Sequence, residues 1–308
     1  SFILDVDLKR ATAIMSNMIN KAIITTAGFG TRLLPISKTI QKEMLPVLNR
    51  PLVDYVVEDL VKAGVTEIIF VINEHNIQIK HYYSQNLRLY EYLKEMNKVA
   101  AYDQVSHIHD QAKFTFIEQP DSEQYGTAVP VKLCEDLLKN EEAFFVFMGD
   151  VFTYGKNGRS EAKEMAELFN KSQGGGVASF IERPENELHK YGIAEIEEKN
   201  DIKYLKNIVE KPAPGEAPSN LSNTSQYILT PAAFKIIENQ AVDPKSGELY
   251  ITDTVKEIAK QSGIAVHIPQ NEFLDGGSVK SWLKANLTVA WDNPELKKEL
   301  REFISKLD

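Results

Sequence analysis

Apolar, β-rich runs along this chain alternate with stretches whose apolar positions recur every three or four residues. "KAIITTA" (21–27), "EIIFVI" (67–72), "KFTFIE" (113–118) and "AFFVFMG" (143–149) are near-continuous in apolar residues. That pattern predicts strands buried on both faces rather than on one. Between them, "PLVDYVVEDLVKAG" (51–64) has helical spacing, with Pro51 in the first turn and Gly64 at the stop, where each is favoured. "TAVPVKLCEDLLKN" and "SEAKEMAELFNKS" also read as helices, the first with Pro130 near its start. Strand–helix alternation of this kind predicts an α/β fold, a mostly parallel sheet flanked by helices. Ligands of such sheets bind at the C-terminal ends of the strands. The turns after residues 27, 119 and 150 all lie there.

The second half reads differently. "GVASFIERP", "YGIAEIEE", "DIKYLKNIVEKP" and "SNTSQYILTP" predict shorter strands closed by polar turns, a mixed or antiparallel extension forming a smaller lobe. "KPAPGEAPSN" (211–220) is a loop by its prolines and glycine. Helices return at 231–240 and 251–262, and an amphipathic, charged stretch begins at 293. The expected organisation is an extension over 1–20, one body over 21–290 with halves at about 21–155 and 156–290, and a C-terminal helix over 291–308.

Composition narrows the function. With 308 residues and 43% hydrophobic content the chain can bury a full core. A net charge of −9 argues against a general nucleic-acid binder, because phosphate backbones attract basic surfaces. The single Cys134 cannot form an internal disulfide, which suits a reducing cytoplasm. No apolar run approaches the ~18 residues that span a membrane, so no membrane partner is expected.

The chemistry concentrates in "TTAGFGTRLLPISKTIQKEMLP". Gly28 and Gly30 let the backbone bring its N–H groups against an anion with no Cβ in the way. Arg32 and Lys42 add the positive charge that amides supply only in part. The turn is not a P-loop, since no G-x-x-x-x-G-K-[ST] occurs, nor the dinucleotide fingerprint, whose third glycine position is Leu33. Asp150, at the end of an apolar strand, suits a hard cation that takes one or two carboxylates, a reading preferred over a turn cap. Lys42 and Glu43 read equally as an exposed ion pair. The six histidines show no metal-ligand spacing, and Cys134 reads as a core residue.

"AGFGTRLLPISKTIQKEMLPVLNRPLVDYVV" resembles the signature of bacterial sugar-nucleotide pyrophosphorylases, most nearly their UTP–glucose-1-phosphate uridylyltransferase branch. "EQPDSEQYGTAVPV", "FMGDVF", "YGI", "VEKPAPGEAPSNL", "YILTPAAF", "GELYITD" and "FLDGGSVKSWLKA" follow in the order of that family. The resemblance implies a Rossmann-like nucleotide-diphospho-sugar transferase fold. It implies transfer of a uridylyl group from UTP to glucose 1-phosphate with Mg²⁺, in a homo-oligomer (dimer or tetramer). Ala27, Gly28, Phe29, Gly30 and Thr31 would line the nucleotide phosphates with Arg32 and Lys42, and Glu43 would sit near the base. Gln119 and Gly126 would read the uracil edge. Asp150 and Asp275 would hold the metal. Gly192, Glu210 and Lys211 would contact the sugar and its phosphate, with Arg32, Lys42, Asp150 and Lys211 the catalytic set. Gln41, Gln124, Thr127, Val151, Ser225 and Tyr250 depart from the family pattern at turns that read base and sugar. A transferase using another base or sugar, or a sugar-nucleotide-binding regulator, therefore remains an alternative.

Overall fold

The computed structural model describes residues 18–74, 77–121, 124–155, 158–172 and 174–307. Its strands are β1 (Lys21–Thr25), β2 (Glu67–Asn73), β3 (Lys113–Gln119), β4 (Phe144–Met148), β5 (Val151–Tyr154), β6 (Gly176–Glu182), β7 (Gly192–Lys199), β8 (Ile202–Glu210), β9 (Leu221–Leu229), β10 (Ala265–His267) and β11 (Glu272–Asp275), besides a two-residue ribbon at Pro46–Val47 and Arg50–Pro51. The longer helices are α1 (Leu52–Lys62), α2 (Glu161–Ser172), α3 (Ala232–Glu238), α4 (Ile251–Ser262), α5 (Val279–Asp292) and α6 (Pro294–Ile304).

Nine strands form one sheet in the order β3-β2-β1-β4-β9-β6-β10-β8-β7. The pairings β3–β2, β2–β1, β1–β4 and β6–β10 are parallel, and those involving β9 and β8 are antiparallel. Seven strands thus point one way and only β9 and β8 the other. The sheet is mostly parallel in direction, as expected. The β-rich second half differs from expectation in one respect. Its strands are not short, since β7 to β9 run eight or nine residues; as expected, they extend the sheet with mixed and antiparallel pairings.

The near-continuous apolar runs have a direct cause. Successive side chains leave a strand on opposite faces, and both faces are covered. Ile24, Phe70, Phe145 and Phe147 pack with α1, α2 and α5, while Ile23, Ile69, Val71, Phe144 and Val146 pack with α3, α4 and the segment around Cys134. β3 is the exception: it is the sheet edge and half-exposed, so it is not a fully buried strand. The predicted helix around Pro130 is two short pieces, Val129–Lys132 and Glu135–Leu138, and Cys134 is buried between them. α5 and the β5–β11 ribbon were not legible as elements. Ile19 is buried, and Asn20 accepts N–H groups from Thr66 and Glu67, so the packed body starts within the expected extension. Among the described residues no helix is long and apolar enough to cross a membrane.

The topology places the site. Thr25, Asn73, Gln119 and Met148 end four neighbouring parallel strands on one edge, in register Thr25↔Met148, Thr25↔Val71 and Asn73↔Gln119.

Candidate active site

The glycine turn springs from that edge and is braced from below. Thr26 Oγ1 donates to the Val71 carbonyl (2.9 Å), and Gln41 Nε2 donates to the Thr26 carbonyl (3.0 Å). Gln41 is buried and its own N–H donates to Gln78 Oε1. A residue that departs from the family pattern therefore ties the turn to the sheet. Gly30 has φ +63°, a left-handed conformation that strains other residues, and its carbonyl accepts from Leu33 N and Ser37 Oγ. The stem of Lys42 passes beneath. A Cβ on Gly30 would lie 3.3 Å from Lys42 Cβ and Cδ, and one on Gly28 would lie 3.8 Å from its ammonium. The two glycines thus leave Ala27 to Thr31 as bare backbone above a lysine. The exposed Phe29 adds no such bracing.

Lys42 ends on carboxylates. Its Nζ lies 2.5 Å from Asp150 Oδ2 and 3.4 Å from Glu43 Oε1. Burial opposes charge on all three groups. It works to lower the Lys42 pKa, but Asp150 and Glu43 outweigh it and hold the ammonium well above its usual value. Burial works to raise Asp150, yet Lys42 and then Arg32 bring its carboxyl below the usual range. Glu43 is pushed up to about 7 by burial, against the pull of Lys42. The residue is 0% exposed. It is therefore neither half of an exposed pair nor open to a base. In this structure it can act on a ligand only through Lys42, which it helps to place.

A second carboxylate joins from β11, which pairs antiparallel with β5 so that Asp275 stands opposite Val151. Gly276 N donates to the Asp150 carbonyl (2.8 Å) and Gly277 N to Asp275 Oδ1 (2.6 Å). A Cβ on Gly277 would lie 3.0 Å from Asp275 Oδ1, 3.2 Å from an Arg32 terminal nitrogen and 3.4 Å from Asp150 Oδ2. Two carboxylates and an arginine 118 or more residues apart in sequence thus surround one point, and only glycine leaves it open. This donor set fits a hard divalent cation, which needs few protein carboxylates and shares its remaining positions with phosphate and water.

At the edge strand, Gln119 Oε1 is buried without a hydrogen-bond partner. An unmet buried acceptor is costly, and a ligand N–H would relieve it. Gly126 follows with φ +128°, and a Cβ there would collide with the Leu249 backbone. Leu249 N donates to the Tyr125 carbonyl (2.8 Å), Ala128 N to the Leu249 carbonyl (2.9 Å) and Ile251 N to Thr127 Oγ1 (2.9 Å). The "GELYITD" segment is therefore the backing of this turn, a role that the residue order alone conceals. In the second half Gly192 stands opposite Glu210, and a Cβ on it would lie 2.6 Å from Glu210 Oε2. Lys211 follows with φ +46°, and its N–H donates to the Tyr191 carbonyl (3.0 Å).

The fold also assembles Glu161, Glu164 and His267, whose nearest ligand-type atoms all lie within 4.8 Å of one another. Linear spacing hid this group. Glu161 Oε1 accepts from Gln270 N and Asn271 N, His267 Nε2 lies 3.2 Å from Glu161 Oε2, and Arg159 pairs with Glu164. These partners make it a clamp joining α2 to the segment after β10.

Comparison with known proteins follows the same outline. A family profile described as "Nucleotidyl transferase" matches residues 21–291. The UTP–glucose-1-phosphate uridylyltransferase of Staphylococcus epidermidis is 32% identical over 292 residues, covering 94% of this chain and 99% of that protein. A UTP-bound UGPase from Acinetobacter baumannii superposes with TM-score 0.85 at 29% identity, covering 94% of this chain and all of that one. A UDP-glucose pyrophosphorylase complexed with UDP-glucose superposes with TM-score 0.78 at 30% identity, over 90% of this chain and 100% of that one.

Proposed function

The chain belongs to the nucleotidyl transferase family, and on that premise we propose that it is a UTP–glucose-1-phosphate uridylyltransferase, converting UTP and α-D-glucose 1-phosphate into UDP-glucose and diphosphate. The observation that carries the reading is the meeting of Arg32, Asp150 and Asp275 around Gly277, with Lys42 on Asp150, beneath the glycine turn. A phosphate oxygen of the sugar 1-phosphate attacks the α-phosphorus of UTP in line. The bond from the α-phosphorus to the bridging oxygen breaks, and diphosphate leaves. No protein nucleophile is needed, so catalysis is positioning and charge neutralisation.

In this proposal the amides of Ala27, Gly28, Phe29, Gly30 and Thr31 take the triphosphate, with Arg32 and Lys42 neutralising the charge that develops on it. Gln119 reads the uracil edge from the turn shaped by Gly126. Gly192 and Glu210 take the sugar, and Lys211 holds its phosphate for attack. The nucleotide half is then about 21–155 and the sugar half about 156–290. Members of the family generally use a divalent metal; Asp150 and Asp275 would hold it, we propose Mg²⁺, and it would supply charge neutralisation at the phosphates. A cytoplasmic homo-oligomer completes the proposal. The free Cys134 supports the first part. Val279, Leu283, Leu287 and Trp291, an exposed apolar row at every fourth residue of α5, support the second.

The test is base choice. The unpartnered Gln119 Oε1 would accept the uracil N3–H, whereas cytosine presents a lone pair at N3. UTP is expected to exceed CTP in kcat/KM by about 5- to 150-fold, a mismatch of ~1–3 kcal/mol. Equal values, in steady-state kinetics at saturating glucose 1-phosphate, would remove Gln119 from base recognition and the uridylyl assignment with it.

A further inference from the structure

Arg183 follows directly on β6, at the sheet edge that carries the site. Its N–H donates to the Asn220 carbonyl (2.9 Å) and its Nε to Ser222 Oγ (3.3 Å). Its guanidinium carbon lies 4.7 Å from the centroid of the Tyr191 ring and 6.0 Å from that of Phe273. Each neighbour belongs to the site described above. Tyr191 precedes Gly192, and its carbonyl accepts the Lys211 N–H. Phe273 lies two residues before Asp275 on β11, so both project from the same face, about 7 Å apart along the strand.

A comparison within the molecule shows what Arg183 lacks. Arg50 is also half-buried and also covers a tyrosine, Tyr55, at 4.4 Å. Its charge is met by Asp54 and Glu58, both at 2.7 Å. No carboxylate among the described residues pairs with Arg183, in a chain where 44 acidic residues outnumber 35 basic ones. A half-buried guanidinium without a counter-ion is costly unless an anion completes it. Ring stacking orients the fork but does not neutralise it.

We propose that Arg183 is a positioning residue for the sugar 1-phosphate, an inference that rests on the uridylyltransferase reading. It acts through Tyr191, whose ring it covers, and so fixes the backbone carrying Gly192 and the Lys211 bend. Its unmatched charge adds attraction for a dianionic acceptor on the side of the cleft away from the glycine turn. The nucleotide relies on other cations, Arg32 and Lys42, and is insensitive to Arg183.

Steady-state kinetics of the full chain in UTP and glucose 1-phosphate, with thermal melts alongside, test this. Arg183→Ala and Arg183→Met are expected to raise KM for glucose 1-phosphate about tenfold, through the loss of its charge and of its hold on Tyr191, with KM for UTP within twofold. Arg183→Met keeps the apolar stem, so its melting temperature stays near that of the parent. Arg183→Lys restores charge and part of the stacking and is expected to recover at least half of the loss. An unchanged KM for glucose 1-phosphate in Arg183→Met would overturn the proposal. So would an equal rise in both KM values, or a lowered melting temperature with both unchanged, since either marks a structural residue. Failure of the unmutated chain to use glucose 1-phosphate would count instead against the uridylyltransferase reading.

Discussion

Asp150→Asn is expected to lower turnover by about 10²-fold or more, the scale on which one strong electrostatic contact to a transition state acts. The substitution keeps the shape at the end of β4 and removes only the charge. Asp150 holds the Lys42 ammonium at 2.5 Å and shares the Gly277 point with Arg32 and Asp275, so three charged partners lose their centre together. The chain should still fold, because the backbone bond from Gly276 N to the Asp150 carbonyl is untouched and Lys42 keeps Glu43 as a partner. Partial desolvation of Lys42 should nevertheless make the variant less stable by about 1–3 kcal/mol. Kinetics at saturating substrates and a urea melt read the two effects separately. Near-normal turnover would move the charge-holding role away from Asp150.

Gly126→Ala is expected to be the most damaging single change to the base turn. A φ of +128° strains any other residue, and the new methyl would meet the Leu249 backbone, which has no rotamer to yield. Strain and overpacking together should cost about 3 kcal/mol or more. The turn would part from the 248–251 segment, and UTP affinity by calorimetry should fall at least tenfold with it. Gly215→Ala is the control, with φ +82° but nothing within 4 Å of its Cβ, so only the backbone strain of ~1 kcal/mol remains. Equal effects at the two sites would mean that the Leu249 contact yields readily.

The parts of this fold that were legible in the sequence are those with a simple local cause. β1, β2 and β4 are buried on both faces, which leaves an unbroken apolar run, and α1 stops at Gly64 as expected, although Pro51 stands at its N-cap and not in its first turn. What was not legible depends on partners distant in sequence. Leu249 closing on Gly126 and Asp275 meeting Asp150 across the β5–β11 ribbon leave no local pattern. Glu43 shows the limit most clearly. A charged Lys–Glu pair reads as exposed or ligand-facing, whereas Gly149 leaves just enough room for its stem to sink beneath the turn, 3.0 Å from where a Cβ would stand. Nothing local marks Arg183, at the end of the predicted strand segment "GVASFIERP", until Tyr191 and Phe273 are placed against it.

Diphosphate release, read with the nucleotide products, distinguishes uridylyl transfer from hydrolysis. The purified chain is mixed with UTP, glucose 1-phosphate and Mg²⁺, and diphosphate and nucleotide products are followed together. The expected result is diphosphate and UDP-glucose formed one for one, dependent on both substrates, and reversed when UDP-glucose and diphosphate are supplied instead. UMP and diphosphate formed from UTP alone would contradict it, because they require an activated water at the α-phosphorus, in the place of the acceptor phosphate.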